Sequence, residues 1–139
     1  IIQNTIRLDE TAVAQVMTKA EDITSVCITD NMKSVKNVFM ESNYSRVPVY
    51  DEKRKNIIGI LYRADFYEML LSGKSDISKI LKPVLFTGSD VHVSVLFETL
   101  QSQQVPQAIV KDGEEIKGLI SMEDVLEELV GEIDDKYDY

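Results

Sequence analysis

The sequence predicts an α/β (α+β) fold built from two copies of one small β-α-β-β-α unit. Three observations carry this. The chain has 139 residues, enough for one ordinary domain or two small ones. It is 44% apolar and 28% charged, the balance of a globular protein. And it repeats itself: Asn56-Ile57-Ile58-Gly59-Ile60-Leu61-Tyr62-Arg63-Ala64-Asp65 resembles Glu115-Ile116-Lys117-Gly118-Leu119-Ile120-Ser121-Met122-Glu123-Asp124 at an offset of 59.

Upstream the match runs at an offset of 60, with Ser34-Val35 over Ser94-Val95 and Pro48-Val49-Tyr50 over Ala108-Ile109-Val110. The second copy is then one residue shorter in its turn. This divides the chain into a leading segment 1–15, a first unit 16–71, a second unit 77–131 and an acidic tail 132–139, with the small polar connector Ser72-Gly73-Lys74-Ser75-Asp76 between the units.

The elements of each unit follow from their patterns. A short apolar strand comes first, Ser25 to Ile28 or Val84 to Phe86. A helix follows, with Ser34 or Ser94 expected as N-cap and with Val35, Val38 and Phe39, or Val95, Leu96 and Leu100, as its apolar face. Two strands joined by a charged turn come next, Arg46 to Tyr50 with Ile57 to Tyr62, and Gln107 to Val110 with Ile116 to Ile120. A closing helix carries Met122, Val125, Leu126, Leu129 and Val130 in an i, i+3, i+4, i+7, i+8 stripe; Phe66, Met69 and Leu70 begin the same pattern. Asp9 to Val13 is read as opening a short leading helix. A 60-residue unit is a marginal fold alone, so the expectation is a pseudo-two-fold pair with a cleft between its halves.

Composition narrows the function. The net charge is −9, and the last 19 residues hold eight acids and one lysine, so the body is nearly neutral. A binder of nucleic acid needs a basic stripe, and none is present. No apolar run approaches the length of a membrane span. The single cysteine, Cys27, sits in an apolar strand and reads as a buried structural thiol; the single histidine, His92, reads as an exposed loop residue. Two such residues do not make a Cys/His metal site. No P-loop, dinucleotide fingerprint, nucleophile elbow or metalloprotease helix is present, so the chain is not read as an enzyme.

The repeated segment is the candidate site. Gly59 and Gly118 each enter an apolar strand where a small residue admits a neighbouring backbone or a ligand. Ser121-x-x-Asp124 fits two readings. It is a capping box, with Ser121 as N-cap and Asp124 at the third helical position. It also suits a nucleotide, because a helix N-terminus with a hydroxyl favours phosphate and a carboxylate one turn in accepts ribose hydroxyls.

The tandem pattern of glycine, two apolar residues, serine or threonine, two residues and aspartate, at the end of each 60-residue unit, resembles a pair of cystathionine β-synthase (CBS) domains, a Bateman module. Leu8-Asp9-Glu10-Thr11 leading into Val16-Met17-Thr18, Asn43 to Tyr50, and Leu119 to Asp135 are similar to CorC/HlyC-type (hemolysin-like, magnesium and cobalt efflux) proteins, relatives of the CNNM transporters. The resemblance implies a regulatory fragment on the cytoplasmic side of a membrane protein, with the membrane domain and a small C-terminal domain missing from it, pairing as a homodimer. It implies an adenosine nucleotide (ATP, ADP or AMP), with Mg2+, in the cleft. Residue by residue, Ser121 holds phosphate, Asp124 the ribose, Thr18 and Ile23 line the adenine, and Ser45, Arg46 and Pro48 form the loop in which Arg46 meets phosphate. Tyr62 replaces the hydroxyl of the first repeat, so a second site around Tyr62 and Asp65 is expected to be weaker or empty. A purely structural dimerisation module without ligand is the alternative.

Overall fold

The structure, a computed structural model, describes residues 11–137. Asp9 and Glu10, with the rest of residues 1–10, lie outside the described residues, as do the side chains from residue 132 on. The strands are β1 (Thr18–Lys19), β2 (Val26–Cys27), β3 (Arg46–Tyr50), β4 (Ile57–Tyr62), β5 (Phe86–Thr87), β6 (Gln107–Asp112) and β7 (Glu115–Ser121). The helices are α1 (Met32–Ser42), α2 (Arg63–Leu71), α3 (Val93–Gln103) and α4 (Met122–Tyr137), with short 3-10 turns at Val13–Gln15, Ala20–Asp22 and Ile77–Lys79. The fold is mixed α+β, with two sheets and four helices among the described residues.

The chain forms two compact units. Unit I is Thr24–Val84; unit II joins the chain up to Ile23 with Leu85 onward. Unit I holds the sheet β2-β3-β4, with β2 parallel and β4 antiparallel to β3. Unit II holds the sheet β1-β7-β6-β5, with the same parallel and antiparallel pairings at β5-β6 and β6-β7. Each has its own core. Val26, Val35, Phe39, Val47, Val49, Leu61 and Phe66 are buried together in unit I; Val13, Val93, Leu96, Leu100, Val110, Ile120 and Val125 in unit II.

Strand register corrects the repeat alignment. Val49 pairs with Gly59, and Val110 with Gly118. Before the turn the copies are therefore related by 61 residues (Val49 to Val110), and after it by 59 (Gly59 to Gly118). The second turn is two residues shorter, not one. The cause is turn chemistry. In unit I the Asp51 carboxylate accepts from the Lys55 N–H, the Asn56 N–H and Asn56 Nδ2, holding a long turn in which Arg54 has φ 58°. In unit II the strands are joined through Gly113 at φ +59°, a conformation glycine adopts without strain.

The helix N-caps lie three and two residues before the expected serines. Asn31 caps α1, its side chain accepting from the Ser34 N–H at 2.8 Å, and His92 is the N-cap of α3, with no side-chain cap bond. The exposed-loop reading of His92 thus becomes an exposed helix-cap position. The face of α3 shifts with the register: Val93, Leu96 and Leu100 are buried, whereas Val95 is 55% exposed. Both helices end on a left-handed residue, Asn43 at φ 62° and Gln104 at φ 55°. On α4, Val125 is buried and Met122 and Leu129 pack against the core, but Leu126 and Val130 face outward. Cys27 is buried, its Sγ against Thr29 Oγ1 and the Asp51 carbonyl.

The leader of each repeat packs onto the sheet of the other. Residues 12–19, the end of the leading segment and the start of the first repeat, belong to unit II. The Val13 N–H donates to the Val91 carbonyl at 2.8 Å, and β1 pairs antiparallel with β7, Thr18 opposite Leu119 and Lys19 opposite Gly118. In unit I the same place is taken by Lys82, which exchanges both backbone hydrogen bonds with Ile60, at 2.8 and 2.9 Å. These clips cover the outer edges of β7 and β4, which would otherwise present unpaired backbone.

The two repeat glycines are required by this approach. A Cβ at Gly118 would lie 2.3 Å from the Thr18 carbonyl oxygen and 2.8 Å from Met17 Sδ; one at Gly59 would lie 2.7 Å from Leu81 Cβ. Gly118→Ala is expected to cost about 1–3 kcal/mol by overpacking. Gly59→Ala should cost less, since its nearest obstacle lies at 2.7 Å and not 2.3 Å. Urea unfolding of both variants checks the order; no loss at Gly118 contradicts the clip.

Asp112, the last residue of β6, accepts from the Ser89 N–H and hydroxyl. The Ser89 hydroxyl, then its N–H, hold the Asp112 carboxyl below the ordinary value. Backbone N–H donation from Lys55 does the same for Asp51, and the Ser78 hydroxyl for Asp76. A carboxyl depressed in the folded state adds stability that is present above its unfolded pKa and lost as pH falls through the folded one. Melting temperature should therefore fall below about pH 4. Asp112→Asn should lower the plateau at neutral pH and flatten that acid limb, as read by melts across pH 2–7.

Candidate functional site

Unit II assembles the second repeat's motif. Strand β7 ends at Ser121, and α4 begins at the next residue. The Asp124 N–H donates to Ser121 Oγ at 3.1 Å, and the Ser121 N–H donates to Asp124 Oδ2 at 3.2 Å. The capping box is thus formed. Met122 N–H donates to the Pro106 carbonyl at 2.7 Å. Three backbone N–H groups at this terminus are therefore already used within the chain, which leaves less of the helix-terminus anion site than the sequence implied. The side chains keep capacity: the Ser121 hydroxyl proton can still be donated, and Asp124 Oδ1 can still accept.

Thr18 comes to this site through β1. It lies opposite Leu119, two residues before Ser121 on β7, and is exposed. Ile23 follows the turn Ala20–Asp22, half-buried, its N–H on the Ala20 carbonyl. Four of the seven expected residues, Thr18, Ile23, Ser121 and Asp124, thus belong to unit II. Ser45, Arg46 and Pro48 belong to unit I. The Ser45 carbonyl accepts from the Arg63 N–H at 2.9 Å, Arg46 opens β3 opposite Tyr62, and Pro48 is buried opposite Ile60.

The two repeats differ at matching positions. Tyr62 is the N-cap of α2 and makes no side-chain cap bond, whereas Ser121 does; Asp65 lies in the first turn of α2. By register the partner of Arg46 in unit II is Gln107, opposite Ser121 and buried, and the partner of Ser45 is Pro106. The sequence alignment had set Arg46 over Pro106. A basic residue that the sequence reading passed over is Arg63: it donates to the Phe39 carbonyl at 2.6 Å and to Asn43 Oδ1, closing the C-terminus of α1. Its match in unit II is Met122, so only the register of the repeat could have drawn attention to it.

Among the described residues no group of three His, Cys, Asp or Glu side chains is placed to hold a metal ion, and no helix is long and apolar enough to cross a membrane.

A chain of this class, with the strand–helix–strand–strand–helix unit given twice and the serine–aspartate box at its end, is a CBS-domain pair. The family profile described as CBS domain matches residues 13–72 and 75–131, and the chain belongs to that family. It is 32% identical over 139 residues to Hemolysin C of Brachyspira hyodysenteriae, covering 99% of this chain and 52% of that protein. It is 29% identical to the magnesium and cobalt efflux protein CorC of Pasteurella multocida, covering 99% of this chain and 47% of that protein. The chain thus spans about half the length of these curated relatives. A solved CBS domain of the bacterial CNNM/CorC family Mg2+ transporter superposes with a TM-score of 0.82 at 30% identity, over 94% of this chain and 81% of that one. The structure of such a domain in complex with ATP matches at 0.79, again at 30% identity, over 94% of each chain. The module is homologous to the regulatory domains of CNNM/CorC transporters.

The box is a structural feature as well as a candidate ligand site. Ser121→Ala is expected to lower stability by about 0.5–2 kcal/mol through loss of the cap. Tyr62→Ala removes no cap bond and should not mirror it. Denaturant melts of the unliganded variants separate this cost from any effect on binding.

Proposed function

We propose that the chain is a cytoplasmic regulatory module, not an enzyme, that binds an adenosine nucleotide and modulates a divalent-cation transporter to which it is joined. The observation that carries this reading is the clip of β1 onto β7. It places Thr18 beside the strand that ends in the Ser121–Asp124 box, so hydroxyl donors and a carboxylate acceptor share one unit. The reading assigns adenine to Thr18 and Ile23, ribose to Asp124 through Oδ1, and phosphate to the Ser121 hydroxyl. Arg46, with Ser45 and Pro48, is assigned to the phosphates as in the family resemblance. Arginine offers a planar fork matched to phosphate oxygens. Magnesium would accompany a triphosphate, shielding its charge from neighbouring carboxylates. The ATP complex of a related transporter domain supports the ligand class. Signalling requires that the nucleotide bind one arrangement of the module better than another. A homodimer is part of the proposal, and the exposed apolar residues Leu71, Leu126 and Val130 support it. Phe66 and Met69, of the matching stripe in the first repeat, are core residues of unit I and do not contribute to such a face.

The competing reading is a ligand-free dimerisation module, favoured by the closed capping box. Calorimetric titration with ATP, ADP, AMP and adenosine, with and without magnesium, decides between them. Asp124→Asn should weaken nucleotide binding by about 1.5–3 kcal/mol, and more than Asp65→Asn does. Arg46→Ala should reduce ATP affinity more than adenosine affinity, with Arg46→Lys recovering part. Equal losses at Asp124 and Asp65 overturn the single-pocket assignment, and absence of any nucleotide-dependent rise in melting temperature overturns the reading.

A further inference from the structure

Asp112–Gly113 is the one place in the sequence where an aspartate or asparagine precedes a glycine. An aspartate so placed can close a ring on its own backbone. The nitrogen of the next residue attacks Cγ of the neutral acid. The acid hydroxyl and the nitrogen's proton leave together as water, and a five-membered succinimide forms. Solvent water reopens it at either carbonyl. Attack at Cγ restores aspartate; attack at the α carbonyl routes the backbone through Cβ, which is an isoaspartyl linkage. Glycine favours closure, because no side chain crowds its nitrogen and its backbone turns freely.

The fold exposes this dipeptide and restrains it. Gly113 lies in the turn between Asp112 and Glu115, which pair across the β6–β7 hairpin. It is exposed, and nothing stands within 4 Å of where its Cβ would lie, so water has access. The Asp112 side chain, by contrast, is pinned. The Ser89 N–H donates to Oδ1 at 3.0 Å and the Ser89 hydroxyl donates to Oδ2, so both carboxylate oxygens are engaged. The Ser89 hydroxyl, then its N–H, depress the pKa of this carboxyl against the opposing effect of burial, and the Lys117 charge acts with them. An ionised carboxylate closes the ring poorly, since oxide is a far worse leaving group than water. Asp51, at the matching turn of unit I, is followed by Glu52 and has no glycine to close on.

Ser89 is also a junction. Its carbonyl accepts from the Ala14 N–H at 3.0 Å, one residue after the Val13–Val91 bond. The leader that carries Thr18 onto β7 thus rests on the segment that Asp112 holds. An isoaspartyl residue lengthens the backbone by a carbon and shortens the carboxylate arm by a carbon. It cannot keep both Ser89 bonds unless the turn moves.

We propose that Asp112–Gly113 is a latent isomerisation site, that Ser89 keeps it closed, and that its conversion to isoaspartate loosens the leader. The inference concerns unit II alone and does not depend on nucleotide binding.

The full chain is incubated in mildly acidic buffer at physiological temperature, and isoaspartate at Asp112 is followed by peptide mapping. A synthetic peptide of residues 107–118 is the unrestrained reference. The peptide should convert fastest and the wild type slowest, with Ser89→Ala severalfold faster than the wild type. Val125→Ala, a truncation in the core of unit II, controls for lost stability and should convert much more slowly than Ser89→Ala while both remain folded. The isomerised wild-type fraction, separated by ion exchange, should show faster amide hydrogen exchange at Val13 and Ala14 than the unmodified protein. A wild type that converts as fast as the peptide, or a Ser89→Ala chain no faster than the wild type or than Val125→Ala, overturns the protection by Ser89. Unchanged exchange at Val13 and Ala14 overturns the link to the leader.

Discussion

The close approach of a leader segment to a glycine is the constraint on which each unit depends. A β-α-β-β-α unit of about 60 residues leaves one strand of its hairpin at a sheet edge, with unpaired backbone groups and little core to spare. The chain closes that edge with residues from the other repeat: β1 against β7, and Lys82 against β4. A side chain at Gly118 would meet the Thr18 carbonyl directly. Val13 reaches the core through it, and Thr18 reaches the strand leading to Ser121. Stability and the candidate site therefore share one backbone approach.

This also explains which parts of the fold were legible beforehand. The β3–β4 and β6–β7 hairpins are visible in the sequence because both strands are short apolar runs around a charged turn, and their bounds fall within two residues of expectation. The duplication is visible because the glycine, the strand and the aspartate recur at fixed spacing. The exchange of leaders is not visible: nothing in the composition of residues 12–19 distinguishes packing on the following repeat from packing on the other. Long-range pairing has no local signature. The offset of 60 came from matching Ser34 to Ser94, two helix residues that look alike. The core positions Val35 with Leu96 and Phe39 with Leu100 give 61. Burial is a better guide to equivalence than identity, because packing constrains those positions and solvent does not.

The site was legible in its residue types and less so in its physics. Ser121 and Asp124 were recognised at the right spacing, and they do meet. They meet first as a cap, each side chain satisfying the other residue's backbone N–H. That is compatible with a ligand, since a hydroxyl has one proton to donate beyond the bond it accepts and a carboxylate has a second oxygen. It changes the argument about the terminus, however. With the Ser121, Met122 and Asp124 N–H groups engaged, phosphate recognition there falls on side chains and not on the helix backbone. A cap already closed is also preorganised: the two side chains need little further ordering to meet a ligand, which lowers the entropic cost of binding.

The divergence of the two repeats is then the more informative half of the duplication. Duplicated units begin with equal chemistry, and packing holds their cores alike: Phe39 and Leu100, or Phe66 and Val125, occupy equivalent buried places. The rims have separated. Unit II keeps Thr18, Ser121 and a buried Gln107; unit I has Lys82, Tyr62 and Arg46 at the same positions. None of the three changes serves the core of unit I, since Lys82 is exposed and Tyr62 and Arg46 are only half-buried. Each one replaces a neutral hydrogen-bonding group with bulk or positive charge. Packing constrains the two cores to stay alike, whereas nothing in the core of unit I requires its rim to match that of unit II.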